Sequence, residues 1–206
     1  QALSLRFPPL AIFYAQEPPA EAKSANPFCS MSLVAEAAKG KTVVMARDSC
    51  ICPGAGEGFG LEPPCPESFP GGRECFLRFL SSGNQDWDHG RAVIEDLIKV
   101  GAPKIMVDGF AEGEGFLKTP ELVAQFLEEL PKVEPEGPYV VIKPLEGLAS
   151  GEKPKVVAFL TDPDQLSALV VLANFARPGI DTVRIPFAAG CASLALFPFH
   201  EAEQAN

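Results

Sequence analysis

No apolar stretch in this chain runs far before a proline or a glycine interrupts it. The 206 residues hold 21 prolines and 18 glycines, and proline lacks the amide proton that a helix interior or a central strand requires. The fold must therefore be assembled from many short elements. Leu10 to Ala15 reads as a strand. Pro27 then opens a helix that runs through Cys29 to Lys39 and stops at Gly40, where a C-terminal glycine belongs. Thr42 to Arg47 is a β-branched strand. Arg73 to Leu80 and Asp88 to Val100 read as helices, the second carrying Val93, Ile94, Leu97 and Ile98 at helical spacing before Gly101.

The second half follows the same grammar. Thr119-Pro120 starts a helix with a capping hydroxyl and a first-turn proline, and Leu122, Val123, Phe126, Leu127 and Leu130 form its apolar stripe. Tyr139 to Lys143, Lys155 to Leu160 and Asp181 to Pro186 are predicted strands. Asp162, Pro163 and Gln165 spell a capping box for a helix that extends to Arg177, and Ala188 to Leu196 is a small-residue helix containing Cys191. Strands and helices in this order predict an α+β or mixed α/β fold, a layered sheet with packed helices around one core. The reading is one domain over residues 1–206, with the Pro/Glu-rich stretch 131–138 as the place where two halves would join.

Charge narrows the partners. Seventeen basic against 27 acidic residues give a net charge of −10 and a pI near 4.7, and an acidic surface repels phosphate backbones. Nucleic-acid binding is therefore excluded as an expectation. No apolar run approaches the roughly 18–20 residues of a membrane span, and Arg6 with two prolines marks residues 1–15 as a first strand, not a signal peptide. Six cysteines are too few for a disulfide scaffold, and Cys50-Ile51-Cys52 is too tight a pair for an ordinary bridge. Both points predict a reduced, cytoplasmic setting.

Several familiar chemistries are absent. The run Gly54-Ala-Gly-Glu-Gly-Phe-Gly60 follows a strand, yet no G-x-G-x-x-G register fits it, and Glu57 would oppose a phosphate. It reads as a loop whose glycines let backbone approach a ligand. Two histidines, His89 and His200, and no G-x-S-x-G elbow make a serine-hydrolase site improbable. Glu146 reads as a solvated loop carboxylate, Asp162 as a helix cap, and Trp87 as packing.

The residues resemble a known family in four places: Cys29 followed by a helix and Gly40; Cys52-Pro53-Gly54-Ala55 with Gly60-Leu61; Lys143-Pro144-Leu145-Glu146 ahead of Val156 to Phe159 and Asp162-Pro163-Asp164-Gln165-Leu166; and Gly190-Cys191-Ala192. In that order they resemble domain-of-unknown-function family 169, common in anaerobic bacteria and archaea. The resemblance implies no settled activity. It implies that Cys29, Cys52 and Cys191 form a shared site, that Cys50, Cys65 and Cys75 are additions, and that family members continue past the position of Asn206.

Three or four thiolates from separate segments are what iron, zinc or an iron–sulfur cluster requires. Neither histidine stands beside a cysteine in sequence, and Cys50 and Cys52 are one residue apart, too close for a zinc knuckle. Zinc is therefore the lesser expectation. The leading one is an iron–sulfur or metal site on Cys29, Cys52 and Cys191, with Cys50 as a fourth ligand and backbone amides around Gly54 hydrogen-bonding the sulfurs. Its role would be electron transfer or Lewis-acid chemistry with a redox partner or a small molecule. Two alternatives stay open: a non-enzymatic small-ligand-binding or accessory module whose cysteines are mostly buried packing, and a thiol enzyme using Cys52 as nucleophile. A homodimer is compatible with each.

Overall fold

The computed structural model describes residues 4–24, 30–46, 53–61, 69–180 and 182–204. They form an α+β structure that divides into two compact units, one made of Gln1–Leu61 with Val133–Asn206, the other of Glu62–Lys132. The chain thus leaves the first unit after Leu61 and re-enters it at Val133.

The first unit is built on a five-stranded sheet in the order β2-β3-β4-β1-β5. β1 is Leu10–Ala15, β2 Lys23–Ser24, β3 Val43–Ala46, β4 Tyr139–Pro144 and β5 Val156–Ala158. β1 lies antiparallel between β4 and β5, β3 pairs antiparallel with β4, and only the β2–β3 pair is parallel. The register sets Ile12 opposite Ile142 and Ile142 opposite Val43. One face therefore carries Leu10, Ile12, Val43, Met45, Val140 and Ile142, all buried. The opposite face holds Ala11, Phe13, Val44 and Val141, covered in part by Ala22, Leu145 and Leu148. Burial on both faces explains why these strands read as unbroken apolar runs and not as alternating ones.

Lys143 ends one of those runs and is buried. Its ammonium meets Glu152 at 3.0 Å and Glu21 at 3.3 Å, and Glu152 also accepts the Ala149 amide at 2.7 Å. Burial pulls the Lys143 pKa down, but the hydrogen bonds it donates to Glu152 and Glu21 outweigh it, so the group stands above its ordinary value. A raised folded-state pKa gives stability that is complete below the unfolded lysine value and is lost as pH rises through the folded one. Lys143→Met is accordingly expected to cost about 3 kcal/mol near neutral pH, because it strands a carboxylate that is mostly out of water. Urea denaturation at about pH 8 and about pH 11 checks this: the gap between wild type and variant narrows at the higher pH. A gap that is constant or widens would refute the assignment.

Around the sheet the first unit places helices α1 (Ser30–Ala37), α2 (Pro53–Gly58), α7 (Pro163–Asn174) and α8 (Phe197–Gln204). α1 packs against β3 and β4 through Leu33, Val34 and Ala37. α7 begins with the expected capping box, Asp162 accepting from the Gln165 amide and Gln165 from that of Asp162. Two expectations fail here. The glycine run is a helix, not a loop, over Pro53–Gly58. The strand expected at Asp181 to Pro186 does not form among the described residues: 182–189 have no regular structure and Ile185 is exposed. Without a neighbour to complete its hydrogen bonds, a β-branched run gains nothing by extending.

The second unit is helical: α3 (Gly72–Phe79), α4 (Asp88–Lys99), α5 (Lys104–Glu112) and α6 (Pro120–Glu129). Phe69 sits among Phe76, Phe79 and Phe110 with ring centroids 5.3–5.7 Å apart. Buried Asn84 ties the elements together. Its amide donates to the carbonyls of Cys75 (3.0 Å) and Phe110 (3.1 Å), and it accepts from Trp87 Nε1 at 3.2 Å. Trp87 also lies under the Arg78 guanidinium, so it is a packing residue, as its sequence suggests. Cys75 is fully buried, and burial, helped by Glu74, pushes its thiol up. A thiol so placed is a small hydrophobe, not a reactive group.

Candidate cysteine site

Cys191 stands at the head of the last helical run of the chain. The residue has helical dihedrals (φ −66°, ψ −43°) and is followed by a π-helical turn, Ala192–Leu196, that leads straight into α8. One wider turn inside an α-helix leaves backbone groups out of their usual pairing and often accompanies function. Ala195, Leu196 and Phe199 are buried, and they hold the run against the sheet. Phe199 packs edge-on against Tyr14 (5.1 Å) and Phe59 (6.0 Å). Tyr14 donates its hydroxyl to the Phe59 carbonyl at 2.8 Å. Burial, with Glu203 and Glu136 adding, raises the Tyr14 phenol well above its ordinary range, so this tie stays neutral.

Against the start of that run lies α2. Glycines 54 and 58 are one turn apart and share a face. A Cβ built on Gly54 would stand 2.7 Å from Cys191 Sγ, and one on Gly58 would stand 3.2 Å from the Cys191 carbonyl oxygen. With glycine at both positions neither neighbour has to move: a Cβ at Gly54 would displace the sulfur, and one at Gly58 would press on the carbonyl. The spacing gives the glycine run a purpose: it is the surface of a helix on which Cys191 rests, closed below by buried Ala55 and Phe59.

A third segment meets the same place. A Cβ on Gly190 would stand 3.3 Å from Met31 Sδ, so the first turn of α1 lies beside Gly190-Cys191. Ser30, the first residue of α1, is buried, and its Oγ has no hydrogen-bond partner among the described residues.

Of the expected site residues, Cys191 and Gly54 are therefore adjacent. Cys29, Cys50 and Cys52, like Cys65, lie outside the described residues. The described residues that follow Cys29 (Ser30 and Met31) and Cys52 (Pro53 and Gly54) begin the two helices that meet Gly190-Cys191. Among the described residues no three His, Cys, Asp or Glu side chains group as a metal site would. Of the thiols that the resemblance implies, Cys191 is the one described, and the helix starts beside it favour negative charge. Of the histidines, His89 meets the Gly71 carbonyl in the second unit at 3.2 Å, and His200 lies on α8 with Nδ1 buried and without a hydrogen-bond partner among the described residues.

Sequence reading missed Gly58, Ser30 and the π-turn. The i, i+4 spacing of Gly54 and Gly58 was available as a signal of close helix approach; the other two leave no trace in a single sequence. The family model described as Uncharacterised ArCR matches residues 1–205. No curated protein matches the chain, and no solved structure does.

Proposed function

The chain belongs to domain-of-unknown-function family 169, and on that premise we propose that it is an iron–sulfur or metal-binding protein whose ligands are Cys29, Cys52 and Cys191, with Cys50 available as a fourth. The observation that carries the reading is the meeting of α1, α2 and the Cys191 turn, with Gly54 pressed against the sulfur. Two of the three expected cysteines immediately precede the helices that meet there. Bound there, the group would supply electron transfer, or an open coordination position acting as a Lewis acid. The chain's own part is to hold thiolates at helix starts, to exclude bulk from the Gly54 face, and to offer the Ser30 hydroxyl as a donor. A reduced cytoplasmic setting and a redox partner or small substrate belong to the same proposal.

The test is iron, zinc and acid-labile sulfide content of the protein purified without oxygen. Stoichiometric metal, with sulfide for a cluster, is expected, and alanine at Cys29, Cys52 or Cys191 should each lower it. Neither metal nor sulfide in the anaerobic protein would sink the reading and leave a ligand-binding module with structural cysteines.

A further inference from the structure

An open cleft of about 1030 Å³ lies against the last helical run of the chain, within the first unit. The run buries Ala192, Ala195, Leu196 and Phe199. Ser193, Phe197 and Glu201, spaced four residues apart, line the cleft instead. Its other wall comes from the stretch without regular structure after α7, through Thr182, Arg184 and Ile185, and Arg177 just past α7 lines it too. That wall is tied back to the helix. Thr182 Oγ1 donates to the Asn174 side chain, and Asn174 donates in turn to the Val170 carbonyl at 2.7 Å.

The lining sets the chemistry of an occupant. Two arginines meet there in a chain whose net charge is −10. A guanidinium presents a planar fork of donors that matches a carboxylate. Arg184 gives one of its donors to Glu201, at 2.6 Å, and Arg177 meets no carboxylate among the described residues. Two arginines against one glutamate leave one net positive charge among the described lining residues, which balances a single carboxylate and falls short of a phosphate dianion. Ile185, 90% exposed, and Phe197 add apolar surface beside that charge. Ligand clefts combine an apolar wall with a few placed polar groups in this way. We infer that the cleft binds a small organic carboxylate, its charge between Arg177 and Arg184 and its apolar body on Phe197. The inference is independent of the cysteine site.

Phenylacetate tests it, titrated against the full chain by ligand-observed nuclear magnetic resonance. Phenylacetamide serves as its uncharged counterpart, and inorganic phosphate as charge without an apolar body. Phenylacetate is expected to bind with a dissociation constant of about 1 mM or below, the range open to so small a ligand. Phenylacetamide and phosphate should each bind at least about 10-fold more weakly. Arg177→Gln and Arg184→Gln, at exposed positions, should each weaken phenylacetate about 10-fold with far-ultraviolet circular dichroism unchanged. Phenylacetate that fails to bind at about 10 mM overturns the proposal. So does phenylacetamide or phosphate binding as tightly as phenylacetate, or a folded Arg177→Gln protein with wild-type affinity.

Discussion

If Cys191 is a metal ligand as proposed, Gly54→Ala is expected to lower the metal content of the protein while leaving the stability of the metal-free chain almost untouched. The added methyl would lie 2.7 Å from Cys191 Sγ, well inside contact distance, so one of the two must give way. Cys191 has a single side-chain torsion, and rotating it moves the sulfur off the Gly54 face at a cost of about 1 kcal/mol. Alanine in place of a helical glycine returns about the same amount. The net change in unfolding free energy is therefore near zero, whereas a ligand displaced by an ångström or more no longer completes a site. Metal content, and the melting temperature of the metal-free protein, separate the two effects. Wild-type metal content in a stable Gly54→Ala protein would mean that Cys191 is not a ligand. A large loss of stability would mean that the helix contact is structural first.

Phe199→Ala should have the largest effect on the fold itself. Phe199 is fully buried and is the ring on which Tyr14 from β1 and Phe59 after α2 both rest edge-on. Deleting a buried phenylalanine of this kind costs about 3–5 kcal/mol, part lost transfer and part cavity, with the edge-to-face contacts included. That is a large fraction of the stability of an ordinary domain. Urea denaturation followed by circular dichroism reads it directly. A loss below about 1.5 kcal/mol would show that α8 is not anchored through this ring, since even a substitution that conserves volume can cost that much.

Much of the fold was legible because the elements that position it carry local signals. Asp162 with Gln165 and Thr119 with Pro120 start their helices as their chemistry dictates. Leu10–Ala15 and Tyr139–Pro144 are apolar enough to be recognised as buried strands. What escaped has physical reasons. α5 buries only Phe110, so it lacks a stripe. β2 has two residues. α2 is half glycine, and its helicity comes from the cover over Ala55 and Phe59 and not from propensity. Asp181 to Pro186 had the composition of a strand and finds no strand partner among the described residues. For the site, resemblance supplied the three cysteines, and the sequence pointed to glycines beside one of them. That Gly54 and Gly58 form one face for Cys191, and that Ser30 is buried with no hydrogen-bond partner among the described residues, are properties of packing alone.

The position of the second unit within the chain has a kinetic consequence. β1 pairs with β4, so Leu10 must find Pro144, and β3 also waits for β4. On a ribosome adding about 5–20 residues per second, the first three strands stay without their central neighbour for roughly 10 s. Glu62–Lys132, rich in local helical contacts, emerges complete in that interval and closes on the faster timescale of such folds. The carbonyl of Val133 comes to rest where a Cβ on Gly60 would lie only 2.5 Å away. Gly60 and Val133, on either side of the second unit in sequence, are thus neighbours within the first. A stretch between them that has already folded has less freedom left to lose when β4 pairs with the strands that have been waiting for it.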